Sequence, residues 1–196
     1  MNNNSPKIRF LILVIMLLFP FLNIAQNTDK IAELIAQVEV GKQLNDKAWL
    51  INMEGDTLRY NTFKGKWLLI DFWTASCAPC IKEFPKIYDF YTKNQKEFEV
   101  IAVSVDNSFQ KFVKCSTKYK IQTPTYFAGF TYSNPLFNLN IKKMQKDDNM
   151  QTFVTLTPQY VLINPDGIIV DKYLPKPSDE KFQEKITDYL KQYKKQ

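Results

Sequence analysis

Residues 67–80 read Trp67-Leu68-Leu69-Ile70-Asp71-Phe72-Trp73-Thr74-Ala75-Ser76-Cys77-Ala78-Pro79-Cys80, and this order of residues decides the fold. The continuous run from Trp67 to Trp73 predicts a buried central strand, because a strand covered on both faces shows no polar alternation. A helix is predicted from Cys77 to about Asn94, bent at Pro85, where a backbone donor is missing. Two cysteines at a strand-to-helix junction place the first thiol at the helix N-terminus, where free N–H groups and the macrodipole favour a thiolate. Cys77 is therefore the candidate nucleophile. Cys80, one turn further in, is the candidate thiol that resolves the mixed disulfide.

Outward from this stretch, strands and helices alternate. Phe98 to Val105 reads as a second buried strand, followed by a helix with Phe109, Phe112, Val113, Ser116 and Tyr119 on its apolar face. The strand–helix–strand order predicts a parallel pair. Trp49 to Asn52 and Thr57 to Tyr60 flank Met53-Glu54-Gly55-Asp56 and read as a hairpin. A second hairpin is expected where Gln159–Ile163 and Ile168–Asp171 flank Asn164-Pro165-Asp166-Gly167. Ile31, Leu34, Ile35 and Val38 mark a helix stopped by Gly41. Phe182, Ile186, Tyr189, Leu190 and Tyr193 mark a last helix that starts near Ser178. The fold class is α/β, a mixed sheet with helices on both faces. The stretch from Phe127 to Gln151 has no clean periodicity and reads either as a partner-binding insertion or as a covering loop and helix.

Composition removes whole classes of chemistry. The 196 residues include three cysteines and no histidine, so there is no Ser–His or Cys–His pair, no imidazole base and no histidine-ligated metal. A zinc site on Cys77 and Cys80 would have only Cys115 to add. A purely structural disulfide would close too short a loop to constrain the unfolded chain much. The net charge is +6, with lysines scattered rather than clustered with aromatics, which gives nucleic-acid binding little support. Cys115 is read as a small packed thiol, the alternative being a second redox or intermolecular partner.

Asp71 interrupts the buried run. A buried, unpaired carboxyl keeps its proton to higher pH and can accept and return one; the alternative is an acid facing solvent at a strand end.

The segment Asp71 to Cys80 resembles the thioredoxin superfamily, and within it the exported TlpA/ResA-like branch. The resemblance extends over roughly residues 40–192 through Phe63-Lys64-Gly65-Lys66, Glu83, Pro85, Pro158 and Asn164-Pro165-Asp166-Gly167, which occur in the family's order. It implies a thioredoxin-like three-layer fold with an N-terminal hairpin extension and an insertion before the cis-proline strand. By resemblance Asp71 assists deprotonation of Cys80, and Pro158 is a cis-proline whose preceding residue, Thr157, offers backbone to a substrate strand. Ala78 and Pro79 tune the reduction potential. Ser76 borders the substrate surface but stands where the family usually has tryptophan, so specificity does not carry over. Read from its place at the end of a central strand, Trp73 packs beside the redox loop, either as a platform for substrate or as core. Glu83 reads as an exposed helical acid without a catalytic part. The redox group is the Cys77–Cys80 disulfide itself, with no dissociable cofactor and no metal.

Lys7 and Arg9 precede an uncharged apolar run from Phe10 to Leu22, which matches a signal peptide over residues 1–25 or an uncleaved anchor. The domain is then 26–196, exported to the periplasm or anchored facing it, with membrane contact only if residues 10–22 remain. The partners expected are disulfide-bonded or dithiol exported proteins and an upstream thiol–disulfide electron donor. Two other functions are weighed. Thr74 and Cys77 form T-x-x-C, but Ile70 occupies the proline position of a thiol peroxidase motif. A non-catalytic binding module with a permanent disulfide would keep the same fold.

Overall fold

The predicted central strand lies in the interior of the sheet. The computed structural model describes residues 29–147 and 150–195; the signal expected over 1–25 lies outside them. In chain order the strands are β1 (Trp49–Ile51), β2 (Thr57–Arg59), β3 (Trp67–Trp73), β4 (Phe98–Ser104), β5 (Thr125–Phe127), β6 (Ile141–Asp147), β7 (Met150–Thr155), β8 (Gln159–Ile163) and β9 (Ile169–Leu174). The helices are α1 (29–36), α2 (Ala78–Asn94), α3 (Phe109–Tyr119), α4 (Pro135–Leu139) and α5 (Glu180–Tyr193). Among the described residues seven strands form one mixed sheet in the order β2-β1-β5-β4-β3-β8-β9, while β6 and β7 pair with each other as a separate ribbon.

Alternation along β3 assigns the layers. Trp67, Leu69 and Trp73 point to the face covered by Ile87 and Phe90 of α2, Phe112 of α3, and Phe182 and Ile186 of α5. Leu68, Ile70 and Phe72 point to the opposite face, against Ile35 of α1 and Leu136, Phe137 and Leu139 of α4. Each face therefore buries its own apolar set, and the result is the three-layer α/β fold. β3 is parallel to β4, and β4 to β5; α2 and α3 make the two crossovers on the same side, as consistent crossover handedness requires. β8 returns antiparallel to β3, with Phe72 opposite Gln159 and Asp71 opposite Tyr160.

The turn before β9 needs glycine. Gly167 has φ +84°, and a Cβ there would lie 3.0 Å from the Tyr60 hydroxyl. Asn164 closes the turn, its Oδ1 accepting from the N–H groups of Asp166 and Ile168 at 3.1 and 2.8 Å.

Several boundaries differ from the sequence reading. The first helix ends at 36 rather than running to Gly41, with Val38 buried in the turn that follows. On α3, Tyr119 is 40% exposed and Cys115 takes its place on the buried face. The stretch 127–151 divides: α4 and the start of the β6–β7 ribbon occupy it, and residues 148 and 149 lie outside the described ones.

Candidate active site

The redox pair is built by the end of β3 and the start of α2. Cys77 is the N-cap of α2, and its Sγ accepts the N–H of Cys80 at 3.2 Å. The cap sulfur thus takes one of the donors that the first helical turn leaves free. Cys77 and Cys80 are closed as a disulfide with Cα atoms 5.3 Å apart. Cys77 keeps 7% exposure and Cys80 none, so the two sulfurs differ in access. Ser76, Ala78 and Pro79 are exposed around them, with Pro79 in the first turn where its missing N–H costs no helical bond.

The loop between strand and cap is held from α3 and from the end of β4. Asp106 Oδ2 accepts the Ala75 N–H at 2.9 Å and the Ser104 hydroxyl at 2.8 Å. Cys115, free and buried, directs its thiol to the Ala75 carbonyl at 4.0 Å and packs in one cluster with Trp73, Cys77, Cys80, Phe84 and Phe112. Burial, and secondarily the Asp106 charge, push the Cys115 thiol pKa up. Sequence reasoning does not single out Asp106; its position directly behind a buried strand end, in Ser104-Val105-Asp106, is the signal by which it could be found.

Asp71 is fully buried, and neither carboxyl oxygen has a hydrogen-bond partner among the described residues. Burial, reinforced by the Glu83 charge, raises its pKa from 3.8 to about 8. Beside it the Tyr160 hydroxyl and Trp73 Nε1 are also buried without partners among the described residues. The phenol pKa of Tyr160 is raised by burial and by the charges of Asp71 and Glu83.

Two expectations need correction. Glu83 is not an exposed helical acid: it is 7% exposed, and its carboxyl accepts the Ser178 N–H at 3.0 Å and the Ser178 hydroxyl at 2.7 Å. The arrival of the chain before α5 covers it, which no spacing within α2 reveals. Trp73 does not border the substrate surface. It is completely buried, edge-on to Phe84 with ring centroids 5.4 Å apart, so it supports the loop from beneath.

The Thr157–Pro158 peptide bond is cis. Because Phe72 pairs with Gln159, continuing the antiparallel register puts Pro158 level with Trp73, at the same end of the sheet as the cysteines. Thr157 and Pro158 are partly exposed. The site so assembled has an accessible sulfur at a helix N-terminus, a second sulfur behind it, a proton-holding carboxyl two residues before Trp73 on β3 and a partly exposed loop at the same sheet end.

Comparison with known proteins gives the same picture. The family described as Redoxin matches residues 39–190. The thiol-disulfide oxidoreductase ResA of Bacillus thuringiensis subsp. konkukian is 26% identical over 160 residues, covering 79% of each chain. Among solved structures, the thioredoxin domain of a thiol-disulfide oxidoreductase from Bacteroides vulgatus superposes with a TM-score of 0.57 at 22% identity, over 77% of this chain and 97% of that one. A thiol:disulfide interchange protein from Bacteroides sp. gives a TM-score of 0.59 at 24% identity, over 78% and 92%. At these identities the two structures establish likeness of fold.

Proposed function

The chain belongs to the redoxin family, as a TlpA/ResA-like thiol–disulfide oxidoreductase of the thioredoxin superfamily, and from that premise we propose that it works outside the cytoplasm, reducing or exchanging disulfides of other exported proteins through Cys77 and Cys80. The observation that carries this reading is the position of the closed pair, with one sulfur capping α2 and the other buried behind it.

In the reducing direction the Cys77 thiolate attacks one sulfur of a substrate disulfide. A mixed disulfide forms, and the other substrate sulfur leaves as a thiolate that takes up a proton. The Cys80 thiol gives its proton to ionised Asp71 and attacks Cys77 Sγ, closing the pair and releasing the second substrate thiol. Two electrons pass from the pair to the substrate, the Cys80 proton and one from solvent complete the two product thiols, and an upstream thiol–disulfide donor must restore the reduced pair. Thr157 offers backbone to the substrate strand, Ser76 forms part of the rim, and Ala78 and Pro79 set the potential.

Export is supported by Lys7 and Arg9 ahead of the apolar run Phe10 to Leu22. Fusing residues 1–30 to a reporter active only outside the cytoplasm should give signal; a silent fusion removes the localisation. The activity is tested by redox titration of residues 26–196 against glutathione or dithiothreitol buffers. A reversible two-electron transition confined to Cys77 and Cys80 is expected. A pair that stays closed across the range would make this a binding module.

A further inference from the structure

Asn140, the residue directly after α4, grips the chain just ahead of the cis-proline from two sides. Its carbonyl accepts the Leu156 N–H at 3.2 Å, and its Nδ2 donates to the Leu156 carbonyl. The same Nδ2 donates to Oε1 of Gln159, the first residue of β8, at 3.0 Å. Gln159 in turn donates through Nε2 to the carbonyls of Leu139 at 3.0 Å and Lys172 at 2.9 Å. Asn140 is completely buried and Gln159 is 4% exposed. Buried amides are retained at a cost in desolvation, which these bonds offset in part, Asn140 Oδ1 being buried without a partner among the described residues. The residues on both sides of Thr157–Pro158 are thereby fastened to one asparagine. The main-chain N–H and C=O of Thr157 itself carry no hydrogen bond among the described residues.

We propose that Asn140, with Gln159, is a positioning residue for polypeptide recognition, fixing Leu156 and Gln159 so that the Thr157 main chain between them is presented for strand pairing with a substrate. This rests on the reading above that substrate disulfides are met beside Thr157. The substrate class it selects is a disulfide within an extended polypeptide. Such a chain brings its own N–H and C=O groups to an unpaired backbone, as in strand addition, whereas a small disulfide has none to offer. The geometry also gives the 127–151 stretch a task. The β6–β7 ribbon leaves at Ile141 and returns at Thr155, so the Asn140–Leu156 contact closes it at its base. Without that closure a long insertion immediately ahead of the cis-proline would add to the entropy of the loop that has to be held.

The test compares two probes in single-turnover oxidation of the pre-reduced protein: an extended synthetic peptide closed by one Cys-Ala-Ala-Cys disulfide, and bis(2-hydroxyethyl) disulfide. The quantity read is the ratio of the two second-order rate constants. Loss of about one net hydrogen bond's worth of positioning lowers that ratio roughly tenfold in Asn140→Ala. A ratio equal to that of the parent, whatever the absolute rates, overturns the assignment, because a merely structural defect slows both probes alike. Should Asn140→Ala lack a cooperative melt, Asn140→Ser is read by the same ratio. A parent protein that reacts no faster with the peptide than with the hydroxyethyl disulfide overturns the substrate reading itself, and that failure is visible before any variant is made.

Discussion

Asp71 on β3 and Glu83 on α2 are two buried carboxyl groups with unequal provision. Glu83 accepts two hydrogen bonds from Ser178, whereas neither oxygen of Asp71 has a partner among the described residues. Burial first, and the Glu83 charge second, raise the Asp71 pKa to about 8. The folded protein therefore holds a proton that the unfolded chain releases near its ordinary value of 3.8. Between these limits the native state binds more protons than the unfolded one, so stability falls as pH rises from about 4 to about 8.

Asp71→Asn should remove that slope. Each tenfold change in proton affinity corresponds to about 1.4 kcal/mol, so at pH 8 the oxidised variant is expected to exceed the parent by roughly a few kcal/mol. The advantage should shrink toward zero near pH 4. Denaturant unfolding of both oxidised proteins across this range checks it, and parallel curves would show that Asp71 does not titrate in the window.

The same substitution should slow exchange. In the proposed mechanism ionised Asp71 accepts the Cys80 proton, and general-base help of this kind is worth on the order of 10²-fold. In the parent the rate of the resolving step should rise with pH through about 8, where Asp71 ionises. Asp71→Asn should lose both the rate and the rise. Stopped-flow kinetics with a disulfide substrate would falsify the assignment by giving superimposable pH profiles.

Glu83→Gln separates the two carboxyls. The amide oxygen can still accept from the Ser178 N–H, but the charge that raises Asp71 is gone. The Asp71 pKa should then fall below that of the parent, as read by carbon NMR of labelled aspartate. An unchanged titration would mean that burial alone accounts for the shift.

These residues mark what the sequence makes legible and what it hides. β3, β4 and β8 are runs of apolar residues bounded by turns or breaks, and α2 opens on a cysteine pair, so a local window suffices for each. β5 is only three half-buried residues and α4 only five residues, too short to show a period. The exposed positions Lys142 to Gln145 give β6 no apolar face, so its pairing with β7 leaves no alternation to read. The missed polar groups share one cause. Glu83 is buried by Ser178, 95 positions away, Asp106 reaches Ala75 across 31, and Asn140 meets Gln159 across 19. Partners so distant in sequence leave no local pattern.

Asp106→Ala tests one such contact. It leaves the Ala75 N–H without its acceptor and the Ser104 hydroxyl without its partner. A loss of about 1–3 kcal/mol in stability is expected, with faster hydrogen exchange at the Ala75 amide. Exchange at Ala75 as slow as in the parent would show that other contacts hold the loop.

The proposed order in which the sulfurs act rests on their positions on α2. Cys77 caps the helix and retains 7% exposure, while Cys80 is completely buried one turn in. A thiolate at the cap is favoured by the helix N-terminus and can meet a substrate; the inner sulfur can reach only a disulfide already formed on Cys77. Cys80→Ser should therefore attack a substrate disulfide without resolving it, and a covalent adduct through Cys77 should accumulate. Cys77→Ser should give neither turnover nor adduct. Cys115→Ser should leave both results as they are, because burial and the Asp106 charge keep that thiol protonated despite its packing against the redox loop. Mass spectrometry of each variant after incubation with a disulfide-bonded peptide reads the adduct and its site. An adduct on Cys80 in the Cys77→Ser protein would reverse the order, and one that disappears with Cys115→Ser would bring the third cysteine into the reaction.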